Sequence, residues 1–203
     1  ALRALLASAV CLSAGALGLL MTNRRRQFRR RRVGRTVASI PDELIEVEQA
    51  VHENGSAAQE DVEFLDRALR HVAASCKVAE AAVPQLGAAV LGDEDLTLLF
   101  TEPAQAPVPE GWTATDDARA WMLPRWTFLE PDLETQPAPY PAVVSIGEDD
   151  GGRTWLLDLE TLGRCGVAGE PEQVADLVRF VVAELAVNAW SEGSDVLLTD
   201  EFG

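Results

Sequence analysis

The first 21 residues, Ala1 to Met21, read ALRALLASAVCLSAGALGLLM, with Arg3 as the only charge. A stretch so poor in water-seeking side chains has few options, because about 20 apolar residues are what a helix needs to cross the hydrocarbon of a bilayer. The pattern predicts a transmembrane helix over residues 1–22. Ser8 and Ser13 can return their hydroxyls to helix carbonyls, and Gly15 and Gly18 are residue types common in membrane helices. A cleaved signal peptide would carry its basic residues ahead of the apolar run and a small-residue cleavage site behind it. Here the order is reversed: Arg24, Arg25, Arg26, Arg29, Arg30, Arg31, Arg32 and Arg35 all follow the apolar stretch.

Those eight arginines define a juxtamembrane segment, residues 23–36. By the positive-inside bias they stay on the cytoplasmic side, which places the chain in the cell membrane as a single-pass protein with its N-terminus outside and its C-terminal domain cytoplasmic. Their expected contacts are anionic lipid headgroups, at roughly 1 kcal/mol per residue near the surface. Nucleic acid is the competing polyanion, and the block is a poor fit for it, with Phe28 as its only aromatic. The rest of the chain argues the same way. Residues 1–36 hold nine arginines and no acid, so residues 37–203 hold eight bases against 33 acids, a balance of −25. An acidic body is repelled by nucleic acid and by an anionic leaflet alike, and is expected to stand off the membrane as a soluble domain. The chain starts at Ala1 and stops at TDEFG after an expected strand, and both ends read as cuts within a longer protein.

From Ile40 to Ala79 the apolar residues recur at helical spacing. Ile40, Leu44, Val47 and Val51 form one stripe, with Pro41 suited to a first turn. Asn54-Gly55-Ser56 then interrupts it, and Val62, Leu65, Leu69, Val72, Cys76 and Ala79 form a second. The prediction is a helical hairpin over residues 37–82, serving as a stalk and offering a possible surface to a protein partner. Beyond it, residues 83–203 read as one α/β domain, with α+β as the alternative. GAAVLGDEDLTLLFTEP and PAVVSIGEDDGGRTWLLDLE are each two apolar runs around a turn, the mark of β-hairpins. Pro-rich connectors, 101–111 and 130–141, flank ARAWMLPRW, which holds one short strand. A long amphipathic helix follows from Pro171 to Trp190, with Val174, Leu177, Val178, Val181, Val182, Leu185, Ala186 and Ala189 on the face meant for a sheet. DVLLT at 195–199 completes a strand–helix–strand order that favours parallel pairing, and hence a mixed sheet.

Reactive chemistry is harder to assemble. GRCGVAGEPEQ, residues 163–173, places glycines before a helix, but it lacks the Lys and Ser/Thr of a nucleotide loop, and Glu170, Glu172 and Asp176 would repel an anion there. His52 and His71 have no partner at metal-ligand spacing. Cys11, Cys76 and Cys165 make no disulfide framework, and Cys165 has no neighbouring His. The acidic turn GEDDGG lacks the alternating ligands of a calcium loop. Trp112, Trp121, Trp126, Trp155 and Trp190 are expected in the core. No catalytic residue, cofactor or metal site is expected, and the chain does not read as an enzyme.

The order of elements, with PAVVSIGEDDGGRTWLLDLETLG, GEPEQVADLVRFVVAELAVNAWSEG and DVLLT, resembles the middle region of large actinobacterial membrane proteins. Those proteins carry a LysM peptidoglycan-binding module and a bacterial transcriptional activator domain. The resemblance implies a non-catalytic, membrane-anchored scaffold or signalling region of an envelope-linked regulator, with a DNA-linked transcriptional regulator as the alternative. The same segment is also similar to FtsK-like translocase ATPase domains, which would make it a degenerate, pseudo-ATPase relative.

Overall fold

In the computed structural model of the chain, residues 45–130, 136–191 and 197 are described, with side chains from residue 59 onward. The first described element is α1, Ile45–Val78. The predicted hairpin is thus corrected to one continuous helix of 34 residues. The reason is energetic: Asn, Gly and Ser in a helix interior each cost at most about 1 kcal/mol relative to Ala. Burial further along repays this, since Val62, Leu65, Leu69, Val72 and Cys76 are buried as the spacing predicted, joined by Ala68. Ala79, predicted in the same stripe, is exposed beyond the helix end. There the chain closes by a Schellman motif, with Ala81 N–H donating to Cys76 O at 2.9 Å and Glu80 N–H to Lys77 O at 3.2 Å. Glu80 takes the left-handed position, φ 51°, that glycine usually fills.

The membrane expectation is corrected for the described residues alone, none of whose helices is long and apolar enough to cross a membrane. Residues 1–22, the Arg24–Arg35 block and the helix start near Ile40 lie outside the described residues.

Six strands form one sheet in the order β3-β4-β2-β1-β6-β5: β1, Leu86–Leu91; β2, Asp95–Phe100; β3, Thr113–Ala114; β4, Ala120–Pro124; β5, Val143–Glu148; and β6, Thr154–Asp158. Both predicted hairpins form, and β4 is the short strand expected in ARAWMLPRW. Every described pairing is antiparallel, and the parallel partner that a mixed sheet requires was expected at 195–199. After β6 the chain makes a short helix, α2 (Leu159–Leu162), then a loop, then α3 (Pro171–Val187). α3 lies along the edge strand β5. The DVLLT segment expected to pair in parallel lies outside the described residues except for Leu197, which is exposed.

Alternation decides which face of the sheet meets α1. Leu96, Leu98 and Phe100 of β2 and Trp121 and Leu123 of β4 are buried at every second position. On β1, Leu86 and Ala89 are an odd distance apart yet both buried in this core, and a register shift between Leu86 and Ala88 provides the extra residue that makes this geometry possible. Phe100 and Trp121 meet edge-to-face with ring centroids 5.0 Å apart. Arg70, buried on α1, pairs with Asp66 at 2.9 Å and donates to the carbonyls of Gln136 and Ala189, tying the helix to two loops.

Candidate functional site

Two places concentrate chemistry the sheet alone does not need. The first is the outer edge of β5. Its edge position leaves Ser145 N–H and Val143 C=O turned away from β6, where another strand could pair with them. Side chains from the α3 region take both. Glu184 accepts from Ser145 N–H at 2.9 Å and from Ser145 Oγ at 3.1 Å. Val143 O accepts from Trp190 Nε1 at 2.9 Å and from Asn188 Nδ2 at 3.5 Å. Glu184 is fully buried while the predicted apolar stripe is at most half-buried, with Ala186 and Ala189 exposed, so the helix seats itself by its carboxylate as much as by that stripe.

Burial pushes the Glu184 carboxyl up to about 7, and the hydrogen bonds from Ser145 and the neighbouring Asn188 amide offset this only in part. A raised carboxyl beside a hydroxyl invites a catalytic reading. Accessibility decides against it, since both Glu184 and Ser145 are at 0% exposure and no substrate atom can reach either. The cluster closes the sheet edge.

The second place is open. After β4, the backbone turns at Pro124–Thr127 and runs alongside α1. Arg125 faces inward, 2.5 Å from Asp61 and stacked over the Phe64 ring with its guanidinium carbon 4.9 Å from the centroid. Leu129 is buried and its carbonyl accepts from Arg67. The alternate residues point out: Trp126 is 80% exposed and Phe128 82%. Two large aromatics two positions apart, both mostly in water, form a ridge that packing among the described residues does not explain.

Acidic residues lie on the segments that meet or follow this one. Glu94 accepts Arg125 N–H through its backbone, Glu130 follows the ridge directly, and Gly111 brings the Glu110 loop against Thr127. Glu60 is exposed one turn before Phe64 on α1. Close by, His71 accepts from Trp112 Nε1 at 3.4 Å, and burial holds its basicity below the ordinary value although Glu110 and Glu130 pull it up.

Trp112, Trp121 and Trp190 are buried as predicted and Trp155 is partly buried, so Trp126 corrects the core expectation. Nothing in RWTFL separated ridge from core, because apolar residues occupy both phases of the alternation. Cys76 is buried as expected and Cys165 is exposed. In GEDDGG, Asp149 accepts from Gly151 N–H, from the Arg153 backbone and side chain, and from Trp155 Nε1, which holds its carboxyl well below the usual range. Glu184 was legible only as one helix residue among many, since its buried role depends on where β5 ends up.

No family model matches the chain, and neither a characterised protein nor a solved structure matches it. The comparisons therefore say nothing for or against the resemblance to LysM and transcriptional-activator proteins or to translocase ATPases. They give no support to the actinobacterial, signalling, transcriptional or pseudo-ATPase attributes, and none of these is carried further.

Proposed function

We propose that the chain is a non-catalytic scaffold that holds a basic segment of a partner on the Trp126–Phe128 ridge. The observation that carries this reading is the pair of aromatic side chains, each about four-fifths exposed, on a segment tied to α1 through Arg125 and Leu129 and bordered by acidic residues. An aromatic face attracts guanidinium and ammonium groups through its quadrupole, and the bordering acids add charge complementarity while disfavouring acidic partners. Tryptophan is also the residue type that most often anchors an interface. The ATPase alternative has less to stand on, because the exposed loop at 163–169 leads into a helix with Glu172 in its first turn, where an anion would be repelled.

Titration calorimetry with an arginine-rich peptide tests the reading. Replacing Trp126 and Phe128 together by Ala is expected to weaken binding at least about tenfold, since hot-spot aromatics cost 2 kcal/mol or more when truncated. An acidic peptide of the same length is expected not to bind. Equal affinity of the wild-type and double-variant chains for the basic peptide would overturn it.

A further inference from the structure

We infer that the occupant of the ridge is this chain's own Arg24–Arg35 segment, folded back in cis. This rests on the scaffold reading above and names its partner. The chemistry already occurs once in the molecule. Arg125 lies over the Phe64 ring while paired with Asp61, a guanidinium held between an aromatic face and a carboxylate. Trp126 and Phe128 offer two more faces of the same kind, on a segment that the Glu94 and Glu110 loops meet and Glu130 follows, with no guanidinium among the described residues over either ring.

Charge selects the basic segment over a second copy of the domain. Residues 37–203 carry −25, so two such bodies repel, whereas residues 1–36 carry nine arginines and no acid. Reach permits it. From Ile45 to Asp61, beside the ridge, α1 rises about 24 Å at 1.5 Å per residue. The ten residues from Arg35 to Ile45 span up to about 33 Å when extended, enough to return that distance. Attachment to the same chain also raises the segment's effective concentration at the ridge above that of a free partner.

The test is acrylamide quenching of Trp126 in the full chain, its signal isolated as the difference from Trp126→Phe. Replacing all eight arginines from Arg24 to Arg35 by Gln is expected to raise the quenching of Trp126 severalfold. About 1 M salt, where the Debye length falls to roughly 3 Å, is expected to raise it in the wild type and leave the Gln variant unchanged. The Gln variant is also expected to bind the added arginine-rich peptide more tightly, because the internal competitor is gone. Quenching that is the same with and without the arginines overturns the inference. So does protection of Trp126 that grows with protein concentration, which would assign the ridge to a second copy. In either case ridge-dependent binding of the added peptide keeps the scaffold reading, and loss of that dependence removes both.

Discussion

Replacing Glu184 by Gln isolates the cost of burying a carboxyl against the β5 edge. Gln keeps the shape, and its carbonyl can still accept from Ser145 N–H and Oγ, where Glu184 Oε2 accepts now at 2.9 and 3.1 Å. Its amide replaces Oε1, which has no hydrogen-bond partner among the described residues, and Asn188 Oδ1, likewise without one, lies one turn further along the chain. The folded carboxyl sits at about 7 against an ordinary 4.5, because desolvation outweighs the hydrogen bonds that favour the charge. With the folded value raised, the neutral form is the one that stabilises. That contribution is complete below about pH 4.5, declines as pH rises, and is lost once pH passes about 7. The displacement corresponds to roughly 3 kcal/mol, at 1.36 kcal/mol for each pH unit. Urea unfolding followed by circular dichroism at pH 5 and pH 8 reads it directly. The two proteins are expected to agree within about 1 kcal/mol at pH 5, with the Gln variant more stable by about 2 kcal/mol at pH 8, once its weaker neutral hydrogen bonds are counted. Other titrating groups cancel in the difference where they lie far from the site. If Glu184→Gln is destabilised equally at both pH values, the carboxyl is ionised in its pocket and the reasoning fails.

Four further outcomes follow from the packing. Leu69→Ala, at a fully buried position on α1, is expected to lose about 2–5 kcal/mol in the same denaturation assay. Arg70→Met withdraws the guanidinium from Asp66 and from the Gln136 and Ala189 carbonyls, and a loss of about 3 kcal/mol or more is expected in thermal unfolding. Glu80→Gly relieves a left-handed residue at the α1 C-terminus and is expected to raise stability by about 0.5–1 kcal/mol, against the usual effect of adding glycine. Trp126→Ala and Phe128→Ala are each expected to shift stability by less than about 0.5 kcal/mol, as surface residues do, and a larger loss would mark the ridge as part of the core.

What the residues disclosed in advance was mostly local. The stripe Val62, Leu65, Leu69, Val72 and Cys76 and the two turn-centred hairpins are settled by neighbours a few positions away, and they formed as read. The break expected at Asn54-Gly55-Ser56 was a local signal overruled by burial later in the same helix. β3, two residues long, has too little pattern to be seen. The antiparallel sheet, the Glu184 clasp and the aromatic ridge depend on pairings between residues tens of positions apart, as with Ser145 and Glu184 or Arg125 and Asp61. No periodicity encodes which strand becomes an edge or which of two apolar phases is left in water.

The unbroken course of α1 sets a rotational phase for its own first turns. At 3.6 residues per turn, inserting one residue ahead of Glu60 swings the helix residues from Ile45 to that point through about 100° relative to the Arg125 side of the domain, while inserting seven nearly restores the original bearing. Along the helix, orientation is therefore counted in residues, and a length change of the wrong number turns its start to a wrong direction.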